Sequence, residues 1–323
     1  AFGPNENYWR GAPSYSLEYQ YITDSAVAFE AYKNGELDIT GLAAEDLATV
    51  QADAALNEQA QIYPGSCTFA VMFHQLKAPF DDPAVRQAFS YALDRESWVT
   101  DVLQGLGAPT LTWIPPGFPG YEEGETRFAF DPEKAVQTLT DAGYTVENGQ
   151  LMKDGTAIEI VQTFSDTPRN RTRNEWLVAK WKEVLGIDIS LNPVESTTYT
   201  ALTKDIETAP QMFILGWCAD YPDPQNWLSV YWKTGAFGER IGFTNPEMDE
   251  VMSQADAELD PAKRAELYAQ AQNTLIEGGY VAFMWNNVNS YLVQPWVQGL
   301  ETTSMDSGWA GDNDPLTITV EPH

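Results

Sequence analysis

Two stretches of this chain, DDPAVRQAFSYALDRE (81–96) and DPEKAVQTLTDAGY (131–144), open on the same Asp-Pro step. An Asp side chain can accept from the orphan N–H groups of a first turn, and proline is pre-set for the first helical position. Val85, Ala88, Phe89, Ala92 and Leu93 then recur at helical spacing, and Gly143 stops the second run. RTRNEWLVAKWKEVLG places Leu177, Trp181, Val184 and Leu185 on one helical face. Further helices are predicted over AVAFEAYKNG, capped by Asp24 or Ser25 and ended by Gly35, and over 246–258 and 261–277. Between them lie strand signals: SLEYQYI, ELDIT, CTFAVMF (67–73), IDISLNPV, the run Met212–Leu215, YVAFMWN and NSYLV. Asn148-Gly149 marks a hairpin, 107–130 reads as a long Pro/Gly loop, and GWAGDNDPLTITV ends the chain. Strands alternating with helices make this an α/β protein.

At 323 residues the chain has room for two domains, and 43% hydrophobic content makes it globular. No window reaches the roughly 18 apolar residues of a membrane-spanning helix. AFGPNENYWRG holds neither an initiator Met nor a signal-peptide core, so the chain is expected to begin as a processed protein or a fragment. With 47 acids against 18 bases the net charge is −29, which repels nucleic acid and anionic lipid. Solubility or a salty habitat is one reading of that charge; steering of cationic ligands is the other. Cys67 and Cys218 are two reduced core thiols or one disulfide of an exported protein, and spacing leaves both open.

The repertoire for catalysis is thin. Only His74 and His323 occur, and GxSxG, Walker, GxGxxG and HExxH motifs are absent. His74 reads as a satisfied strand-end histidine. Binding chemistry stands out instead in GWCADYPDPQNWL (216–228), where a buried strand ends by setting Asp220 between Trp217 and Trp227. A free peptide carries an ammonium and a carboxylate, so a pocket for it needs an acid and a base beside aromatic walls. Asp220 supplies the acid. Arg169, Arg171 and Arg173 crowd the start of a helix, where they oppose its dipole. They serve either a ligand carboxylate or surface acids.

NENYWRGAP, KAPFDDPAVRQAFSYALDRE, FDPEKAVQTLTDAGY, WKEVLGIDI, GWCADYPDP, FTNPEMDEVM and SYLVQPWVQGL come in an order that resembles the extracytoplasmic solute-binding proteins, family 5, of peptide ABC transporters. The resemblance implies a periplasmic-binding-protein-like fold of type II, a flytrap. This chain would supply one lobe, a mixed β-sheet flanked by helices, plus part of the other lobe. Its implied boundaries are 1–65 for a hinge-proximal part of lobe I, 66–284 for the second, ligand-binding lobe, and 285–323 for the return to lobe I. Family members usually carry some further length ahead of NENYWRGAP, so part of the cleft wall is expected to lie outside this chain.

The implied function is capture of peptides for an ABC permease, without catalysis and without cofactors, by a monomer that is periplasmic or membrane-anchored outside the cell. Asp220 is the implied ammonium anchor. Backbone groups around Gly216 and Cys218, beside Trp217, would pair with the peptide like an added strand. Arg169 and Arg171 fall where the family holds the ligand carboxylate, Ile214 stands where some oligopeptide binders have Arg, and Cys67–Cys218 would be bridged. Two rivals remain: the same fold binding an oligosaccharide, nickel complex or haem, and a hydrolase, which the missing constellations disfavour.

Overall fold

The structure is a computed structural model that describes residues 1–305 and 316–322. Part of the expected C-terminal segment 308–320 lies outside the described residues. Backbone contacts divide the chain into two compact units. One comprises Ala1–Ser66, Gln104–Gly107 and Asn287–His323; the other comprises Cys67–Leu103 and Ala108–Asn286.

In chain order the strands are β1 (Ile39–Gly41), β2 (Ala60–Phe73), β3 (Ala108–Pro109), β4 (Tyr144–Glu147), β5 (Gln150–Lys153) and β6 (Thr156–Ile158). There follow β7 (Val161–Ser165), β8 (Ser190–Val194), β9 (Met212–Cys218), β10 (Val281–Val293), β11 (Val297–Gln298) and β12 (Thr319–Val320). Within the larger unit the sheet runs β10-β2-β9-β7-β8, with β3 on β10. It is mixed: β2 and β9 are antiparallel, whereas β7 is parallel to both β8 and β9. β4, β5 and β6 form a separate antiparallel sheet, and Asn148 and Gly149 take the positive φ values (50° and 83°) its first turn requires.

The helices against this sheet begin as their sequences dictate. Asp82 accepts from Ala84 N and Asp131 from Lys134 N, each ahead of a proline at the first helical position. The long helix Pro168–Leu185 is capped by Thr167 and buries Leu177, Trp181 and Leu185. Trp181 donates its indole N–H to Phe89 O at 3.0 Å, so the largest apolar side chain at this contact carries no unpaired polar atom. Phe73, Phe80 and Phe89 complete a fully buried aromatic centre. A second buried group gathers Trp113, Trp227, Tyr231 and Trp232, and Trp113 Nε1 donates to Trp227 O at 2.7 Å. Cys67 and Cys218 face each other in the β2–β9 register and are bridged across 151 residues. The chain-entropy model puts the worth of so long a loop at about 5 kcal/mol.

The smaller unit packs Phe29, Tyr32, Leu42 and Val50 with Leu292, around a helix at Ser25–Lys33 and the pairing of β1 with Tyr291–Val293. Here one expectation fails. SLEYQYI alternates but is not a strand: Phe2 and Leu17 make an isolated bridge, and Tyr21 is 97% exposed. Alternation marks a face, but a strand exists only where a neighbour supplies a hydrogen-bonding ladder. YVAFMWN and NSYLV, read as two strands, are one, β10; Asn286 is accommodated inside it by donating to Thr68 Oγ1 at 2.7 Å. Among the described residues no helix is long and apolar enough to cross a membrane.

Candidate functional site

β7, β8 and β9 run parallel, so their carboxyl ends share one end of the sheet, the position where open α/β sheets bind ligands. β9 is paired with β2 along its whole length, Met212 to Cys218. Its pairing with β7 covers only Met212 and Phe213. From Ile214 to Cys218 one edge of β9 therefore runs on past its parallel neighbour. There the Tyr199 hydroxyl donates to Ile214 O at 2.6 Å.

A cavity of about 190 Å³ lies at this place. Phe69, Phe164, Ile214 and Trp285 give it apolar walls, and Gly216 lies at its edge. Phe69 and Trp285 are stacked with centroids 4.5 Å apart and planes within 8°. Trp98 packs on Trp285 in turn at 5.3 Å, which fixes that wall from a second side. Polar side chains complete the lining: Ser165 at the end of β7, then Asn170, Arg173 and Asn174 from the first turns of helix Pro168–Leu185. Buried Asn174 is held in place, accepting from Gln162 Nε2 at 2.8 Å and donating to Asn170 O at 2.7 Å.

Among the described residues, Arg173 is the one basic side chain of the cavity, and its guanidinium lies 5.9 Å from the centre of the Trp285 ring. The described lining contains no carboxylate, in a chain with 47 acids. Burial, and then the nearby Arg169 guanidinium, push Arg173 below its ordinary pKa. Both effects penalise the cation, and the attraction of an incoming anion would offset them.

The structure separates the arginine cluster. Arg171 is exposed and ion-paired with Asp166 Oδ2 at 2.8 Å. Arg169 is exposed, and neither Arg169 nor Arg171 lines the cavity. Arg173, four residues after Arg169, does.

The remaining sequence candidates divide by strand alternation. Gly216 lies on the cavity side, and Cys218 carries the disulfide at the end of β9. The Trp217 ring packs on Tyr231 and Phe237, at 5.3 and 4.9 Å, and its indole N–H donates to Asn226 Oδ1 at 3.0 Å. Asp220 is exposed, not desolvated between indoles as expected, because Trp227 is wholly buried in the neighbouring aromatic core. Its position is nevertheless defined: its N–H donates to Asn226 Oδ1 at 3.2 Å, and Asn226 Nδ2 donates to Asp220 Oδ2 at 3.1 Å. Buried Asn226 thus ties Trp217 to Asp220, a role no sequence motif announced. Asp223 caps the next short helix and takes a two-point ion pair from Arg264, at 2.8 and 2.9 Å. His74 is buried, with Nε2 2.8 Å from Ile206 O.

A mixed sheet with a cleft at the carboxyl ends of its parallel strands is the architecture of type II periplasmic binding proteins, and comparison with solved structures agrees. The Brucella suis NikA complexed with Fe(III)-EDTA superposes with a TM-score of 0.82 over 97% of this chain and 64% of that one, at 21% identity. Bacillus subtilis AppA, solved with a nonapeptide, gives 0.79 over 98% and 63%, at 20% identity. In sequence, the family described as "Bacterial extracellular solute-binding proteins, family 5 Middle" matches residues 1–239. The chain belongs to family 5 of the bacterial extracellular solute-binding proteins. Heme-binding protein A of Haemophilus influenzae is 30% identical over 83% of this chain and 48% of its own length. Oligopeptide-binding protein OppA of Bacillus subtilis is 26% identical over 91% and 53%. The chain spans about half the length of the curated relatives it matches.

Proposed function

We propose that this chain carries the ligand-binding wall of a peptide-capturing solute-binding protein, which delivers its cargo to an ABC permease outside the cytoplasmic membrane and catalyses no reaction. The observation that carries the reading is the β9 edge beyond Phe213, running beside a half-buried arginine in a cavity without acids among its described residues. An extended peptide laid along Ile214–Cys218 satisfies its own backbone and that edge together. Its carboxylate then meets Arg173, and its ammonium lies toward Asp220, two residues past the end of β9. Such a peptide runs antiparallel to β9.

On this reading the larger unit corresponds to the second lobe of a flytrap, and the smaller unit to the hinge-proximal part of the first. A ligand seated over Asp220 would supply the desolvation that the exposed side chain lacks, and would strengthen the hold of its carboxylate on an ammonium. The protein works as a monomer.

Calorimetry on the full-length protein tests this with one tetrapeptide in free, N-acetylated and C-amidated forms. Binding of the free form alone supports it, and equal binding of all three removes it. The relative named for haem carries a second reading, a bulky planar cargo in the same cleft. Haemin displacing the peptide at lower concentration than the peptide itself would favour that cargo.

A further inference from the structure

The cavity beside Arg173 is mixed in character in a way the peptide reading does not require. Part of its lining is polar and cationic, and part is a fixed aromatic surface: Phe69 stacked on Trp285, with buried Phe164 also lining the cavity. Backbone pairing along β9 and a guanidinium for a carboxylate would suffice to hold any free peptide. Neither needs an apolar chamber.

The chamber has the size of one side chain. A space of about 150 Å³ holds a benzene ring, and this one measures about 190 Å³. Only the last residue of a peptide presents a carboxylate and a side chain on the same carbon. Such a residue meets both parts of the lining at once.

Resting on the reading of Arg173 as carboxylate anchor, we propose that this cavity selects the ligand by its carboxyl-terminal residue, accepting apolar side chains up to phenylalanine in size. A terminal glycine leaves the rings of Phe69 and Trp285 facing water. A terminal glutamate brings a second carboxylate against apolar walls that cannot solvate it. A terminal lysine meets Arg173, and Arg169 behind it, as a like charge. Tyr199 also lines the chamber, with its hydroxyl committed to Ile214 O and kept protonated by burial.

The test is a titration of the full-length protein with Ala-Ala-Ala-X, where X is Phe, Leu, Gly, Glu or Lys, together with the amide of the Phe peptide. Burying a Leu or Phe side chain should tighten binding roughly tenfold to a hundredfold over Gly, with Glu and Lys weaker than Gly. The Phe amide should fall below the Phe acid. Arg173→Gln should erase the acid-over-amide difference and keep Phe ahead of Gly, which separates the two parts of the lining. Free peptides that bind within about threefold of one another whatever X is would overturn the selectivity and leave peptide binding standing. Failure of every peptide to bind would overturn both. The series on the unaltered protein decides the selectivity even if the variant does not fold.

Discussion

Phe69 lies directly opposite Gly216 in the β2–β9 register, and a Cβ on Gly216 would come 2.5 Å from Phe69 Cδ1 and 2.8 Å from Thr68 O. The glycine of GWCAD is therefore a packing requirement inside the protein. It lets Phe69 fold across the strand and stack on Trp285, forming the wall of the cavity.

Gly216→Ala must displace that ring or strain β2, because Thr68 O is backbone and cannot swing away. Overpacking of this kind costs about 1–3 kcal/mol, to be read as a shifted denaturation midpoint. The double variant Gly216→Ala, Phe69→Ala should recover part of the loss, as contacting sites couple. Strict additivity of the two losses would show that the ring is not what the methyl meets.

The arginines make a second prediction. Arg173→Gln should weaken free peptides by about 1.5–3 kcal/mol, the range for a hydrogen bond to a charged group. Arg171→Gln should leave affinity unchanged, because the Arg171 guanidinium is already paired with Asp166 at the surface and such pairs contribute little. Calorimetry on both variants with one free peptide decides it. The opposite ranking would return the anchor to Arg171.

The placement of the three arginines also bears on what the sequence made legible. Three arginines in five residues were visible as an unusual cluster, but reading them as a cluster hid their phase. At helical spacing Asn170, Arg173 and Asn174 share a face with Leu177 and Trp181, both fully buried, and Arg171 points elsewhere. The signal that puts Arg173 among the cavity's lining residues was present, in the spacing to the apolar residues rather than in the charges. Helix starts were legible because a cap is a local device: Asp82 and Asp131 bond N–H groups two and three residues away. Pairing is not local. SLEYQYI lacks a ladder, β7 carries no turn signal ahead of it, and Asn226 is defined by partners brought to it only by the fold.

Acid should loosen the turn after β9. Burial raises the Asp223 pKa, but the hydrogen bonds from Arg264 and from Gln225 N outweigh it, so the carboxyl sits below its ordinary value. A carboxylate whose folded pKa is depressed contributes stability above the unfolded value, about pH 3.9, which is lost as pH falls through the folded one. Asp223→Asn should flatten the decline in melting temperature below about pH 4, and an unchanged slope would count against this pair as a source of acid sensitivity.

The final prediction concerns Asp220. Its carboxylate is exposed, yet its N–H and Oδ2 are fixed by buried Asn226, so the group is held in place at the surface. Two roles fit a fixed, exposed acid: closing its own turn, or waiting for a cation. Asp220→Asn distinguishes them. Asparagine keeps a side-chain oxygen for Asn226 Nδ2, so a turn residue would lose neither fold nor affinity. An ammonium anchor would lose its charge, and free peptides should weaken at least roughly tenfold, as when a charge-assisted hydrogen bond is removed. N-acetylated peptides lack the ammonium and should bind equally poorly to both proteins. Asn226→Ala provides the complement: it leaves the charge on Asp220 but removes what orients it and what receives Trp217 Nε1. Its effect should fall on free peptides as well, with an added stability loss of about 1–3 kcal/mol from the unpaired groups left behind. Calorimetry with one free and one acetylated peptide, on the parent and both variants, reads all of this. Unchanged affinity of Asp220→Asn for the free peptide would reduce Asp220 to its turn.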